Sequence, residues 1–176
     1  MPSSAHSAWV DELLHHLEHY GPEAGAALEY IHRHRTKVGV HDQPTGARWT
    51  IDRRLEMHPR FVAAAADDPS AVSLIIHEVR HLQQGPLTAL SVYGEMEAWQ
   101  LQFAFIRSVT GHYHADPAHA AIIEQIMQQP LGLDRQVLQH VRELMQRYAG
   151  KAYRIDLLPL YPLHREIVFR LTGRGP

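Results

Sequence analysis

Apolar residues recur at steps of three and four along most of this chain, the period of amphipathic helices, and one short stretch departs from it. In residues 7–20, Trp9, Val10, Leu13, Leu14 and Leu17 form a single stripe, closed by Gly21-Pro22. Residues 22–35 repeat the pattern, with Ala24, Ala27, Leu28 and Ile31 facing inward. The texture then changes over residues 36–58. TKVGVH, ARWTI and LEMH are short runs with β-branched and aromatic residues, separated by the turn-like segments DQPTG and DRR. They predict a small antiparallel sheet, followed by a spacer at Ala63-Ala64-Ala65-Ala66.

Helical periodicity returns at Asp68-Pro69, which offers an N-cap and a proline at the first helical position, and Gly85-Pro86 ends this helix, residues 69–84. Ala71, Val72, Leu74, Ile75, Val79 and Leu82 make a broad apolar face, with His77 and His81 at its margin beside Ser73, Arg80 and Gln84. Such a helix is mostly buried and carries one polar seam. A connection of ordinary length leads to a second helix, residues 91–109, whose core face is Val92, Met96, Trp99, Phe103 and Ile106. Beyond a polar loop, helices are predicted from Asp116-Pro117 to about residue 129 and over residues 134–148. A short helix over residues 162–171 precedes an end frayed from Thr172. The chain reads as one α+β domain, residues 1–176, mainly helical with a small antiparallel sheet beside the 69–84 helix. Its parts are N-terminal helices 7–35, sheet 36–58, central helices 69–84 and 91–109, and C-terminal helices 117–171.

The chemistry is concentrated in those central helices. His77-Glu78-Val79-Arg80-His81 is an HExxH pattern. On a helix the two histidines stand one turn apart on one face, where both imidazoles can reach one ion. Zinc suits two such nitrogens plus a carboxylate, with a fourth position left for water. Glu78 then stands where it can accept a proton from that water. For the third ligand, Glu95 lies about 60° from the centre of the second helix's core face and Glu97 about 140° away. An inward-leaning carboxylate is costly unless paired or metal-bound. Glu95 is therefore the expected ligand, and Glu97 is expected to be solvated.

These residues resemble the gluzincins, zinc peptidases that combine HExxH with a downstream glutamate. Glu95-Met96-Glu97-Ala98 is similar to the family's E-x-x-A, in which the small residue lets the helix approach. Trp99 stands where many members carry an acid or amide that supports a histidine ligand. Gly46-Ala47-Arg48-Trp49 looks like the edge strand that precedes the site in thermolysin-like enzymes. The resemblance implies a zincin-like fold and hydrolysis of peptide bonds, with Zn2+ held by His77, His81 and Glu95 and Glu78 as general base. It also implies that a peptide or protein substrate pairs with the backbone near Ala47. An oxyanion donor is required as well, and Tyr93, His112, Tyr113, His114 and His164 all remain open for that role. The competing readings are a non-catalytic zinc-binding regulatory or partner-binding protein on a peptidase-like scaffold, and a helical interaction protein with no metal.

Composition narrows the class further. The 45% hydrophobic content suffices for one core, and the absence of cysteine removes disulfides and thiolate metal sites. A net charge of −2 gives no electrostatic reason to expect nucleic acid. No apolar run suggests a membrane span, and the first residues lack the pattern of a signal peptide, so a cytoplasmic protein is expected. Oligomeric state is not predicted. His15 and His19 are also one turn apart, but they lie opposite the apolar stripe of their helix and are expected to be solvated. Arg48, Arg53, Arg54 and Arg60 are expected to form a solvated basic face.

Overall fold

The computed structural model describes residues 4–63 and 65–173. Eight helices and three strands follow the chain in order: α1 (Ser4–Leu17), α2 (Pro22–His34), β1 (Lys37–Val40), β2 (Ala47–Trp49), β3 (Arg54–Met57), α3 (Pro69–Gln84), the single turn α4 (Pro86–Ala89), α5 (Val92–Thr110), α6 (Pro117–Met127), α7 (Arg135–Ala149) and α8 (Leu163–Thr172). The architecture is mainly helical α+β. Among the described residues, no helix is long and apolar enough to cross a membrane.

The cap expected at Asp68 operates. The Asp68 side chain accepts a hydrogen bond from Ser70 N–H at the start of α3, and Asp116 and Asp134 act alike at α6 and α7. Gly111, at φ 81°, closes α5 in the left-handed conformation. Thr172 is the last residue of α8 rather than a frayed one; residues 174–176, and Ala64 of the expected spacer, lie outside the described residues.

The sheet corrects one expectation. It is mixed, not antiparallel: β3 is central, with β1 parallel on one side and β2 antiparallel on the other. The 41–46 connection does not fold β2 back onto β1. It crosses the Met57 end of β3, where His41 N–H bonds to the Met57 carbonyl at 2.9 Å and the buried Gln43 amide donates to the Glu56 carbonyl at 2.6 Å. Val40 and Ala47 thus flank the same residue, Met57, from opposite sides. β2 becomes an edge strand beside α3.

Two apolar clusters form the interior. One joins α1, α2, the sheet and α3; the other joins α5, α6, α7 and the segment after α7. Helix α5 belongs to both. Val92, Met96, Trp99 and Phe103 enter the second cluster, whereas Phe105 enters the first. Ala98 of α5 is fully buried.

Candidate metal centre

His77, Glu78 and His81 lie on α3, where nine of 16 residues are buried, these three among them. Burying three ionisable side chains on one helix costs several kcal/mol unless they find partners. Helix α5 supplies the partner from its first turn. Glu95 Oε1 lies 3.5 Å from His81 Nε2 and Glu95 Oε2 lies 3.7 Å from His77 Nε2, and the two Nε2 atoms are 2.9 Å apart. The structure therefore brings together the three side chains expected to hold a metal.

The donor set fits a zinc ion. One ligand atom from each of the three residues lies within 4.8 Å of the others, and tetrahedral bonds of about 2.05 Å set ligand atoms about 3.3 Å apart. The electrostatics agree. Burial, reinforced by the charge of His81, pushes His77 down to about 3. Burial also opposes a charge on His81, but attraction to Glu95 and a hydrogen bond with it raise His81 to about 9. Burial would raise Glu95 as well, yet His81, His77 and the Tyr153 hydroxyl bring it down to about 2. At neutral pH this pocket holds a carboxylate and one positive charge between two imidazoles, the balance a cation would also satisfy.

Glu78 is one step round the helix. Burial, with repulsion from Glu95, raises its carboxyl to about 7, against attraction to His81 and a hydrogen bond from the Trp49 backbone N–H of β2. Along that strand Thr50 N–H bonds to the Arg54 carbonyl at 3.0 Å and His58 N–H to the Gly46 carbonyl at 2.9 Å. The alternation of an antiparallel pair turns the backbone groups of Ala47 and Trp49 to the open edge. A cavity of about 610 Å³ runs from this edge past His77 and Glu78, with Phe61, Leu74, Phe103 and Ile106 as its apolar walls.

The surroundings of His81 and Glu95 hold what the sequence did not reveal. His81 Nδ1 lies 3.1 Å from Gln84 Oε1, and the Gln84 amide donates to Glu97 Oε2 at 2.7 Å and to the Gly94 carbonyl at 3.0 Å. Arg80 donates to the other oxygen of Glu97. Glu97 is thus no solvated residue; its side chain is 18% exposed and holds the group that orients His81. On the opposite side, Tyr153 donates to Glu95 Oε2 and accepts a 2.9 Å bond from Trp99 Nε1. Trp99 thus supports Glu95 through Tyr153. Burial and the neighbouring Glu95 raise the Tyr153 hydroxyl well above its ordinary value.

Of the five candidates for an oxyanion donor, His112, Tyr113 and His114 line the cavity; Tyr93 and His164 do not. The Tyr113 hydroxyl already accepts a 2.7 Å bond from Arg107. Tyr153, outside that set, lines the cavity beside the ligands. The basic face is partly neutralised, Arg48 pairing with Glu56 and Arg54 with Asp52, while Arg60 stacks on Phe61 at the cavity wall. No protein-family model matches the chain, and neither a curated protein nor a solved structure matches it significantly.

Proposed function

We propose that the chain is a zinc-dependent metallopeptidase in which His77, His81 and Glu95 hold the ion. The observation that carries this reading is the convergence of two imidazoles and a carboxylate next to a buried acid, at the wall of a cavity bounded by an open strand edge. Bound there, zinc would polarise a scissile carbonyl and bring the pKa of water at its open position towards neutrality.

The chain's own groups divide the remaining tasks. Glu78, a buried carboxyl next to His77, stands where it can take a proton from water and pass it to the leaving amine. The Trp49 backbone N–H fixes that carboxylate in place. Gln84 engages His81 Nδ1 and so leaves Nε2 turned to the ion, while Tyr153 holds Glu95. The outward backbone groups of β2 suit an extended peptide, and the apolar walls suit a hydrophobic side chain.

Metal analysis should return about one tightly held zinc per chain, removed by His77→Ala. Glu78→Gln should keep that zinc and lower kcat on a peptide mixture by at least about a hundredfold; undiminished turnover would refute the role of Glu78. One observation favours a second reading. The three side chains bridge α3, which lies in the first apolar cluster, and the start of α5, whose Val92, Met96 and Trp99 lie in the second, so the same ion could serve to cross-link a non-catalytic module. Unfolding on chelation, with no hydrolysis by the zinc-loaded chain, would favour that alternative.

A further inference from the structure

We propose that the C-terminal end of α1 carries a second, solvent-facing site for a divalent transition-metal ion, formed by His15, Glu18 and His19. The geometry comes from how the helix ends. After Leu17 the chain tightens: Glu18 N–H bonds to the His15 carbonyl at 3.2 Å and His19 N–H to the His16 carbonyl at 3.0 Å. These i to i+3 bonds wind the last turn at about three residues per turn instead of 3.6, which swings residue 18 over residue 15. Glu18 Oε2 consequently lies 3.7 Å from His15 Nδ1, and the His19 ring meets the His15 ring edge-on with centroids 5.2 Å apart. One ligand atom from each of the three residues falls within 4.8 Å of the others.

Glu18 is what a helical wheel of histidines alone omits. His15 and His19 are exposed, as their position opposite the apolar stripe predicts, but a carboxylate converges on them. The chain has 15 histidines, yet among the described residues only this group and the central one bring three such ligand atoms together. His114 and His119 mark the contrast. Their rings are 5.0 Å apart, but Asp116 engages the Nδ1 of each, its N–H at 2.9 Å from His114 and its carboxylate at 3.3 Å from His119.

Two imidazoles and one carboxylate are borderline donors. They select Cu2+, Ni2+ and Zn2+ in the order of intrinsic affinity and leave Mg2+ and Ca2+ unbound. The C-terminal end of a helix carries partial negative charge, which adds to the attraction for a cation. Exposure makes the site weaker than the central one, because binding the ion must restrict side chains that face solvent. Water fills the remaining positions. The site stands apart from the cavity, so it depends on neither the peptidase reading nor the occupancy of the central centre.

Calorimetric titration of the full chain, stripped of metal by chelation, with Ni2+ or Zn2+ tests the assignment. The expected result is two classes of site, tight and weak, with no heat from Mg2+. The double variant His15→Ala, His19→Ala alters exposed residues only. It should unfold at the same temperature, keep the tight class and lose at least tenfold in the weak one; Glu18→Gln should weaken the same class several-fold. Metal binding by the unaltered chain that the double variant leaves undiminished in every class, or no binding outside a class that His77→Ala abolishes, would overturn the proposal.

Discussion

Glu97 sits two residues beyond Glu95, takes a hydrogen bond from Arg80, and steadies Gln84 against His81. Removing such an outer partner typically weakens metal binding by about 10–100-fold. Gln84→Leu is therefore expected to lower zinc affinity by that factor in competition with a chromophoric chelator, Glu97→Gln by less, and Glu95→Gln by far more. The convergence of the two histidines was legible from spacing alone, and that of Glu95 from its angle on the wheel. Gln84 and Glu97 were not, because the wheel assumed one buried face on α5 where the fold has two. Tyr153 carried no signal at all: it is 58 residues from the glutamate it touches and sits in a short turn, Lys151–Tyr153. Protonation supplies a further test. His81, held at about 9 in the metal-free fold against an ordinary 6.5, contributes stability that is complete below pH 6.5 and is lost as pH rises through 9. Glu78, held at about 7 against 4.5, acts in the same sense over a lower window. The metal-free Tm should fall between pH 6.5 and 9, and less steeply in His81→Gln; an equal slope in that variant would contradict the pairing. Binding of zinc at pH 7 should release a proton, detectable as a buffer-dependent heat.

Among the elements, α5 carries the most demands. Its first turn must bring Glu95 to α3 while passing close to the turn that contains Thr88. Gly94 makes this possible, since a Cβ there would lie 2.2 Å from the Thr88 carbonyl oxygen. Gly94→Ala should destabilise the protein by about 1–3 kcal/mol, or more if the backbone cannot yield, and should lower zinc affinity with it, as read by urea denaturation and by metal titration. A variant as stable as the parent would show that α5 can shift freely. The starts of α3 and α6 were readable because periodicity and an aspartate cap agreed, and the buried Ala24, Ala27, Leu28 and Ile31 of α2 from periodicity alone; α1 runs over Ser4–Leu17 instead of 7–20, and the expected connection after α3 holds the turn α4. Strand partners were not readable. Three short runs with turn-like separators look the same whether the first connection reverses direction or crosses the end of its neighbour, and only the Gln43 and His41 bonds to β3 decide it.

At the level of the whole molecule, the centre lies where two apolar clusters meet across α3 and α5. Each cluster has its own buried side chains, so chelation should lower the melting temperature without unfolding the protein at 25 °C. Zinc at a hundred times its Kd contributes about 2.7 kcal/mol. Loss of the cooperative transition on adding chelator would show instead that the ion is required to hold the halves together. A division of the interior into two clusters was invisible in composition, since 45% hydrophobic content is equally compatible with one core.

The open edge of β2 has a consequence for self-association. An unpaired strand that can accept a peptide is also a template for another copy of the chain, and long apolar edges of this kind seed aggregates. Here the strand is only three residues long, and Arg48 brings a charge to its middle. Of the four outward backbone groups, the Trp49 N–H is engaged by Glu78 and the Ala47 carbonyl by the Thr45 hydroxyl at 2.8 Å. What is left can grip a short extended segment but offers too little for a growing fibril, so the protein should stay dispersed at concentrations where a longer bare edge would precipitate.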